Sequence, residues 1–222
     1  MKKLSLIVAG LSVLVGITVQ AADTNAVTSV NIVGLIKTDL PSNKLVFASV
    51  SMNAVGGTNQ MFQPTLGDQL PLGGSVYFWN VSSQRWDIAT KKSKIGWSDN
   101  SNRVVSVGQG IFILCPSTNL TINMLGEVPL SPTSTVSMVQ GLNAIGYMYP
   151  VDMAWTNTPF YGLPLASVLN VWNVTSQKWD IATKKSKIGW SDASNWVLRA
   201  GQGFFVTVPA ATNLYESRPF NP

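Results

Sequence analysis

The chain of 222 residues carries 15 Lys and Arg against 10 Asp and Glu, a formal net charge of +5, and only 11% of its residues are charged. That balance is too slight to demand a polyanionic partner, and the wealth of Ser, Thr, Asn, Gly and Val fits a β-rich protein better than a helical cytosolic enzyme. The sequence has no histidine, which removes the commonest general base, the Ser–His and Cys–His nucleophile pairs and most zinc sites; a lone Cys115 excludes an internal disulfide.

At the N-terminus Lys2 and Lys3 precede an apolar stretch from Leu4 to Val19, and Val19-Gln20-Ala21 offers compact residues for cleavage, so residues 1–21 read as a signal peptide. The stretch is short for a bilayer span and contains Gly10, Ser12 and Gly16; with no later apolar run of that kind, a mature protein without a membrane span is expected. Of the 15 basic side chains, 13 remain after Lys2 and Lys3 are removed, and the expected destination is secretion or the cell surface, with the periplasm open. Next comes an arm from Thr24 to Thr38 with strand character, its apolar positions being Val27, Val30, Ile32 and Ile36.

The body of the chain is a tandem repeat. Trp-Asp-Ile-Ala-Thr-Lys-Lys-Ser-Lys-Ile-Gly-Trp-Ser-Asp runs from Trp86 to Asp99 and again from Trp179 to Asp192, an offset of 93 residues that holds without a gap from Leu70 against Leu163 to Pro116 against Pro209. Upstream, with a small gap, Leu45-Val46-Phe47-Ala48 answers Leu142-Asn143-Ala144-Ile145. The expected architecture is all-β: two tandem homologous antiparallel β-sandwich-like domains after a cleaved signal peptide. The arm and first repeat occupy residues 22–130 and the second repeat residues 131–222, joined at Pro129-Leu130-Ser131-Pro132.

Within the first repeat, Asn59 to Leu70 holds at most a short helix broken near Pro64. Val76 to Val81, the turn Ser82 to Arg85, and Trp86 to Thr90 form a hairpin pattern in which Trp79 and Trp86 face each other, and Leu169 to Thr183 repeats it. Arg103 to Val107 leads through Gly108-Gln109-Gly110 into the strand Ile111 to Cys115; two glycines around one residue mark a bulge or a close backbone approach. Leu120 to Val128 reads as a closing strand, whereas the second repeat ends in Asn213 to Pro222, whose charges and prolines make a poor one.

Leu142 to Pro150 with Asp152 and Trp155, then Val171-Trp172-Asn173, then Gly201-Gln202-Gly203-Phe204-Phe205-Val206 resembles a β-domain of secreted bacterial surface proteins. In that domain a Leu-Ile-Gly-Asn-Pro-like strand, a Tyr-x-Trp-Asn hairpin and a Gly-Gln-Gly-Phe-Phe-Val strand recur in this order. Val30 to Gly34 and Gly126 to Pro129 are likewise similar to an exported repeat family of uncharacterised function. The resemblance implies an extracellular β-fold and supplies no catalytic residue.

The residues present four candidate chemistries. Paired carboxylates, Asp87 with Asp99 and Asp180 with Asp192, read more simply as turn chemistry, and no enzyme activity, cofactor or metal is assigned; Cys115, aligned with Val208, reads as a small buried hydrophobe. Oxygen-rich loops Asp99 to Asn102 and Asp192 to Asn195 match no complete calcium loop. Of eight tryptophans, Trp79 and Trp86 with their copies read as core, while Trp97 and Trp190 read as candidates for stacking on sugar faces. Beside those two lie Lys91, Lys92 and Lys94, and Lys184, Lys185 and Lys187; with Asp99 and Asp192 they form the expected contact surface, for which anionic polysaccharide suits better than nucleic acid. Asn80, Asn119 and Asn173 open glycosylation triplets that the bacterial look of the leader makes incidental.

A poor final strand would leave an open sheet edge in the second repeat, and the arm through Val27, Val30, Ile32 and Ile36 could fill that edge in a neighbouring copy, giving a head-to-tail polymer. The alternative is pairing within its own repeat. The function expected from the sequence is therefore a secreted non-enzymatic structural subunit of a filament, layer or matrix, self-associating, with a carbohydrate-binding or adhesion module as the alternative.

Overall fold

Alternation of inward and outward side chains sets the architecture, which a computed structural model describes for residues 32–56, 60–98, 103–191 and 195–221. The expected signal peptide, Val27 and Val30, and the loop residues Asp99 and Asp192 lie outside the described residues. Repeat one runs β1 (Val33–Leu40), β2 (Leu45–Ser49), a single helical turn α1 (Phe62–Thr65) with a 3₁₀ turn at Gly67–Gln69, β3 (Ser75–Asn80), β4 (Arg85–Lys92), β5 (Gly96–Trp97), β6 (Gly110–Leu114) and β7 (Leu120–Glu127). Repeat two runs β8 (Thr133–Met138), β9 (Gly141–Gly146), β10 (Met153–Ala154), two 3₁₀ turns at Trp155–Asn157 and Pro159–Gly162, β11 (Val168–Asn173), β12 (Lys178–Lys185), β13 (Gly189–Trp190), β14 (Val197–Leu198), β15 (Gly203–Val208) and β16 (Thr212–Ser217).

The two halves have one topology. Each builds a five-stranded antiparallel sheet, β2-β6-β3-β4-β5 and β9-β15-β11-β12-β13, and each covers it with a two-stranded sheet, β1-β7 and β8-β16. The fold is all-β with antiparallel pairing throughout the described strands.

Period-two alternation sends Val76, Phe78, Ala89, Ile111 and Ile113 to one face of the first sheet, where they pack with Ile36, Leu40, Ile122 and Met124 of the covering strands and with Phe62 of α1. Leu169, Ala182, Phe204 and Val206 do the same in repeat two under Val136, Met138, Trp155 and Phe160. Phe62 and Trp155 are equivalent: each is fully buried and meets a tryptophan edge-on, Trp97 at 4.7 Å and Trp190 at 5.1 Å between ring centroids.

The described part of the arm, from Ile32 onward, pairs within its own repeat. Ile36 stands opposite Met124 on β7, and the Ile32 carbonyl accepts the Val128 N–H at 2.8 Å. Repeat two is completed in the same way, because Thr212 to Ser217, expected to be a poor strand, pairs along its length with Thr133 to Met138. The missing final strand from which the polymer reading started is therefore present as β16. Leu214 and Glu216 take the inward positions of β16, and a glutamate at an inward position is what hid the alternation.

The opposite faces of the two five-stranded sheets meet each other. Phe47, Phe112, Ala144 and Phe205 form a third buried cluster, bordered by Leu45, Tyr77, Trp79, Trp86, Leu142, Trp172 and Trp179. The repeats, expected as tandem domains, thus keep one core each and share another.

Candidate functional site

The seam between the repeats is reciprocal, as in an isologous dimer joined into one chain. The Trp79 indole N–H donates to the Leu142 carbonyl at 2.8 Å, and its counterpart Trp172 donates to the Leu45 carbonyl at 2.8 Å. Gln84 lies at the hairpin turn with φ 51°; its side chain receives the Leu142 N–H and donates back to the Leu142 carbonyl, capping the β9 edge as a neighbouring strand would. Gln177, φ 54°, does the same at Leu45 on β2. Main-chain bonds from Ser49 N–H to Gly201 C=O (2.7 Å) and from Gly146 N–H to Gly108 C=O (2.9 Å) repeat the exchange.

The Gly-Gln-Gly motif belongs to this seam. A Cβ at Gly110 would sit 3.0 Å from the Ile145 backbone, and one at Gly203 would sit 2.5 Å from the Ala48 carbonyl oxygen. Gln109 bridges to Ile145 and Gln202 to Ala48. The close backbone approach expected from the two glycines is therefore an approach across the repeats.

Above the shared cluster the seam opens into a cleft of about 570 Å³, a size suited to a small ligand. Its walls are four equivalent pairs, Trp79 and Trp172, Trp86 and Trp179, Phe112 and Phe205, Leu45 and Leu142, together with Ile88 and the unlike pair Tyr77 and Asn170. Trp79 and Trp86 are directly opposite in register with ring centroids 5.1 Å apart; Trp172 and Trp179 repeat this at 4.8 Å. Each pair also leans on the phenylalanine of the other repeat, Trp79 on Phe205 at 5.4 Å and Trp172 on Phe112 at 5.3 Å. These four rings are half-buried. With two indole N–H groups fixed on backbone carbonyls and every ring braced by another, the aromatic platform is held in place before any ligand arrives.

The sequence expectation for the tryptophans is thus reversed. Trp97 is 7% and Trp190 6% exposed, each against its own repeat's core, so neither ring can stack on a ligand. The reason is register: Trp97 stands opposite Lys91 and Trp190 opposite Lys184, on the face that turns inward with Ala89 and Ala182. Those lysines are drawn inward too. The Lys91 ammonium donates to the carbonyls of Gly67, Asp68 and Leu70, the last at 2.7 Å, and Lys184 donates to the Tyr161 carbonyl at 2.8 Å. Lys92, Lys94, Lys185 and Lys187 remain exposed. The expected contact surface divides: one lysine and the tryptophan of each copy face inward and hold the fold, and the two outer lysines of each copy are accessible.

Asp87 accepts from Asn80 and pairs with Arg103 at 3.3 Å, and Asp180 accepts from Asn173 at 3.2 Å, so these carboxylates are engaged in tying their hairpins. Among the described residues no group of three or more His, Cys, Asp or Glu could hold a metal ion. Cys115 is fully buried with its thiol on the Thr118 carbonyl, and Val208 is buried in the second copy.

No family model, curated protein or solved structure matches the chain.

Proposed function

We propose that the protein is an exported, non-enzymatic binding module whose cleft between the repeats takes a carbohydrate chain. The observation that carries this reading is the braced platform of Trp79, Trp86, Trp172 and Trp179 lining an open cleft. Indole faces at fixed positions offer apolar surface to the C–H faces of pyranose rings, and the Tyr77 hydroxyl and Asn170 carboxamide supply polar groups at the walls. The leader-like N-terminus and the resemblance to secreted surface domains support the export part of the proposal.

The test is tryptophan emission during titration with soluble β-linked oligosaccharides. Wild type is expected to shift saturably, Trp86→Ala with Trp179→Ala to lose the response while keeping a cooperative melt, and Trp97→Phe to keep it. An unaffected response in the double variant sinks the carbohydrate reading.

A second reading, a self-associating structural subunit, rests on a different surface. Val33, Leu35 and Leu125 are exposed on the outer face of β1-β7, Leu35 directly opposite Leu125. Light scattering and electron microscopy of the purified protein, with Leu35→Lys and Leu125→Glu as the variant, test it: assembly that the substitutions abolish supports a subunit role, and a monomer at all concentrations ends it.

A further inference from the structure

The fourteen-residue identity between the repeats can be divided by what the structure asks of each position. Trp86 and Trp179 line the cleft, and Asp87 and Asp180 hold Asn80 and Asn173. Ala89 and Ala182 are fully buried, Lys91 and Lys184 bind carbonyls, Gly96 and Gly189 both have φ 69°, and Trp97 and Trp190 are core. The hydroxyls of Ser98 and Ser191 receive the N–H groups of Thr90 and Thr183 at 3.1 and 3.0 Å.

Packing leaves one continuous segment without a role: Lys92 at the end of β4 with the turn Ser93-Lys94-Ile95 before β5, and its copy, Lys185 at the end of β12 with Ser186-Lys187-Ile188 before β13. All eight residues are exposed, and among the described residues their side chains have no hydrogen-bonding or ionic partner. Ile95 and Ile188 are 64% and 65% exposed, near the top of the range for large apolar side chains in this protein. The segments Ile88 to Ser98 and Ile181 to Ser191 contain no acidic residue. Meanwhile buried and partly buried positions nearby have drifted, Tyr77 against Asn170, Phe78 against Val171 and Arg103 against Trp196.

We infer that each tip docks on an anionic lipid bilayer, the two outer lysines meeting headgroup phosphates and the isoleucine entering the boundary between headgroups and acyl chains. A basic loop alone would suit any polyanion; a large aliphatic side chain held out in water beside two lysines adds the apolar half of a bilayer interface. Lysines near an anionic membrane surface attract it individually, and two tips on one chain add through effective concentration when both engage. This surface is independent of the cleft.

Co-sedimentation of the purified protein with large vesicles tests the inference, using phosphatidylcholine alone against phosphatidylcholine with one quarter phosphatidylglycerol. Wild type is expected to pellet with the anionic vesicles at least tenfold more than with the neutral ones, and less as salt rises. Replacing Lys92, Lys94, Lys185 and Lys187 by Gln should remove at least nine tenths of that binding. Ile95→Ser with Ile188→Ser should reduce it about fivefold without changing the melting temperature. Equal binding to both vesicle types, or anionic binding that ignores the isoleucines, overturns the bilayer assignment. So does soluble dextran sulfate held equally by wild type and the isoleucine variant with no vesicle preference, an outcome that makes the tips a simple polyanion contact.

Discussion

The two repeats share a topology and differ in what they bury beneath it. Where β7 turns Met124 into the core of repeat one, β16 turns Glu216 into the core of repeat two. Where repeat one places Arg103 over the Phe78 ring at 4.4 Å and against Asp87, repeat two has Trp196 packed among apolar neighbours and leaves Asp180 without an ion pair among the described residues. The shared seam, in contrast, is matched at most of its pairs, Trp79 with Trp172, Gln84 with Gln177 and Gly108 with Gly201, and is unlike where Phe47 answers Ala144. Duplicated halves can drift wherever each packs against itself, but a residue at the seam has to suit both its own repeat and the copy across from it. The cleft inherits that restraint, which is why four of its wall pairs are alike, while Tyr77 against Asn170 and the unmatched Ile88 give it a direction.

Breaking the seam should have the largest effect. Gly203→Ala forces a methyl group toward the Ala48 carbonyl oxygen at 2.5 Å, backbone that cannot swing aside, whereas Gly110→Ala meets the Ile145 backbone and the Phe47 ring at 3.0 Å. Overpacking of this kind costs about 1–3 kcal/mol, so about 3 kcal/mol is expected for Gly203→Ala and about 1 kcal/mol for Gly110→Ala in urea denaturation. Equal effects would mean that the two sides of the seam are interchangeable at this point.

Much of this was legible from residue order. The 93-residue offset, the hairpin with Trp79 opposite Trp86, and the close approach at Gly-Gln-Gly all follow from residue patterns, although what the two glycines approach is the other repeat. The seam was not legible, because nothing in a strand's alternation says what covers its second face; Trp79 and Trp86 looked like core and border a cleft. Trp97 and Trp190 were misplaced for a related reason. Their neighbouring lysines suggest a surface, but the two-residue strands β5 and β13 put each tryptophan opposite a lysine that itself points inward. The last strand was missed because Glu216 interrupts the apolar positions of β16.

Glu216 also gives the second contrast its measurement. Burial pushes its carboxyl up to about 8, against the Met148 N–H that donates to Oε2 at 2.9 Å and lowers it; Oε1 has no hydrogen-bond partner among the described residues. Burial, with Glu216 and Tyr149 nearby, pushes the Tyr147 phenol up to about 12. The native state thus keeps a proton that the unfolded chain releases above its ordinary value of 4.5. Stability from this group is complete below about pH 4.5, declines as pH rises toward 8 and is flat beyond it. Glu216→Met, which installs the residue of repeat one, should remove that slope and raise stability at pH 8 by on the order of 2 kcal/mol. Met124→Glu should create the same slope in repeat one. Urea midpoints between pH 5 and 9 measure both, and an unchanged slope in Glu216→Met assigns the pH dependence elsewhere.

The smallest effect belongs to Arg103. Its guanidinium covers Phe78 and meets Asp87 at 3.3 Å, with the arginine side chain 23% and the aspartate side chain 30% exposed, so water screens the pair. A partly exposed ion pair and a cation over a ring contribute about 1 kcal/mol together. Arg103→Ala should therefore lower stability by about 1 kcal/mol at low salt and by less at high salt, through repeat one alone. Arg103→Trp borrows the solution of repeat two instead: it keeps apolar cover over the Phe78 side and gives up the charge. If that variant matches wild type at high salt while Arg103→Ala does not, the two repeats have reached the same packing by different chemistry, and the ion pair is the dispensable part of it.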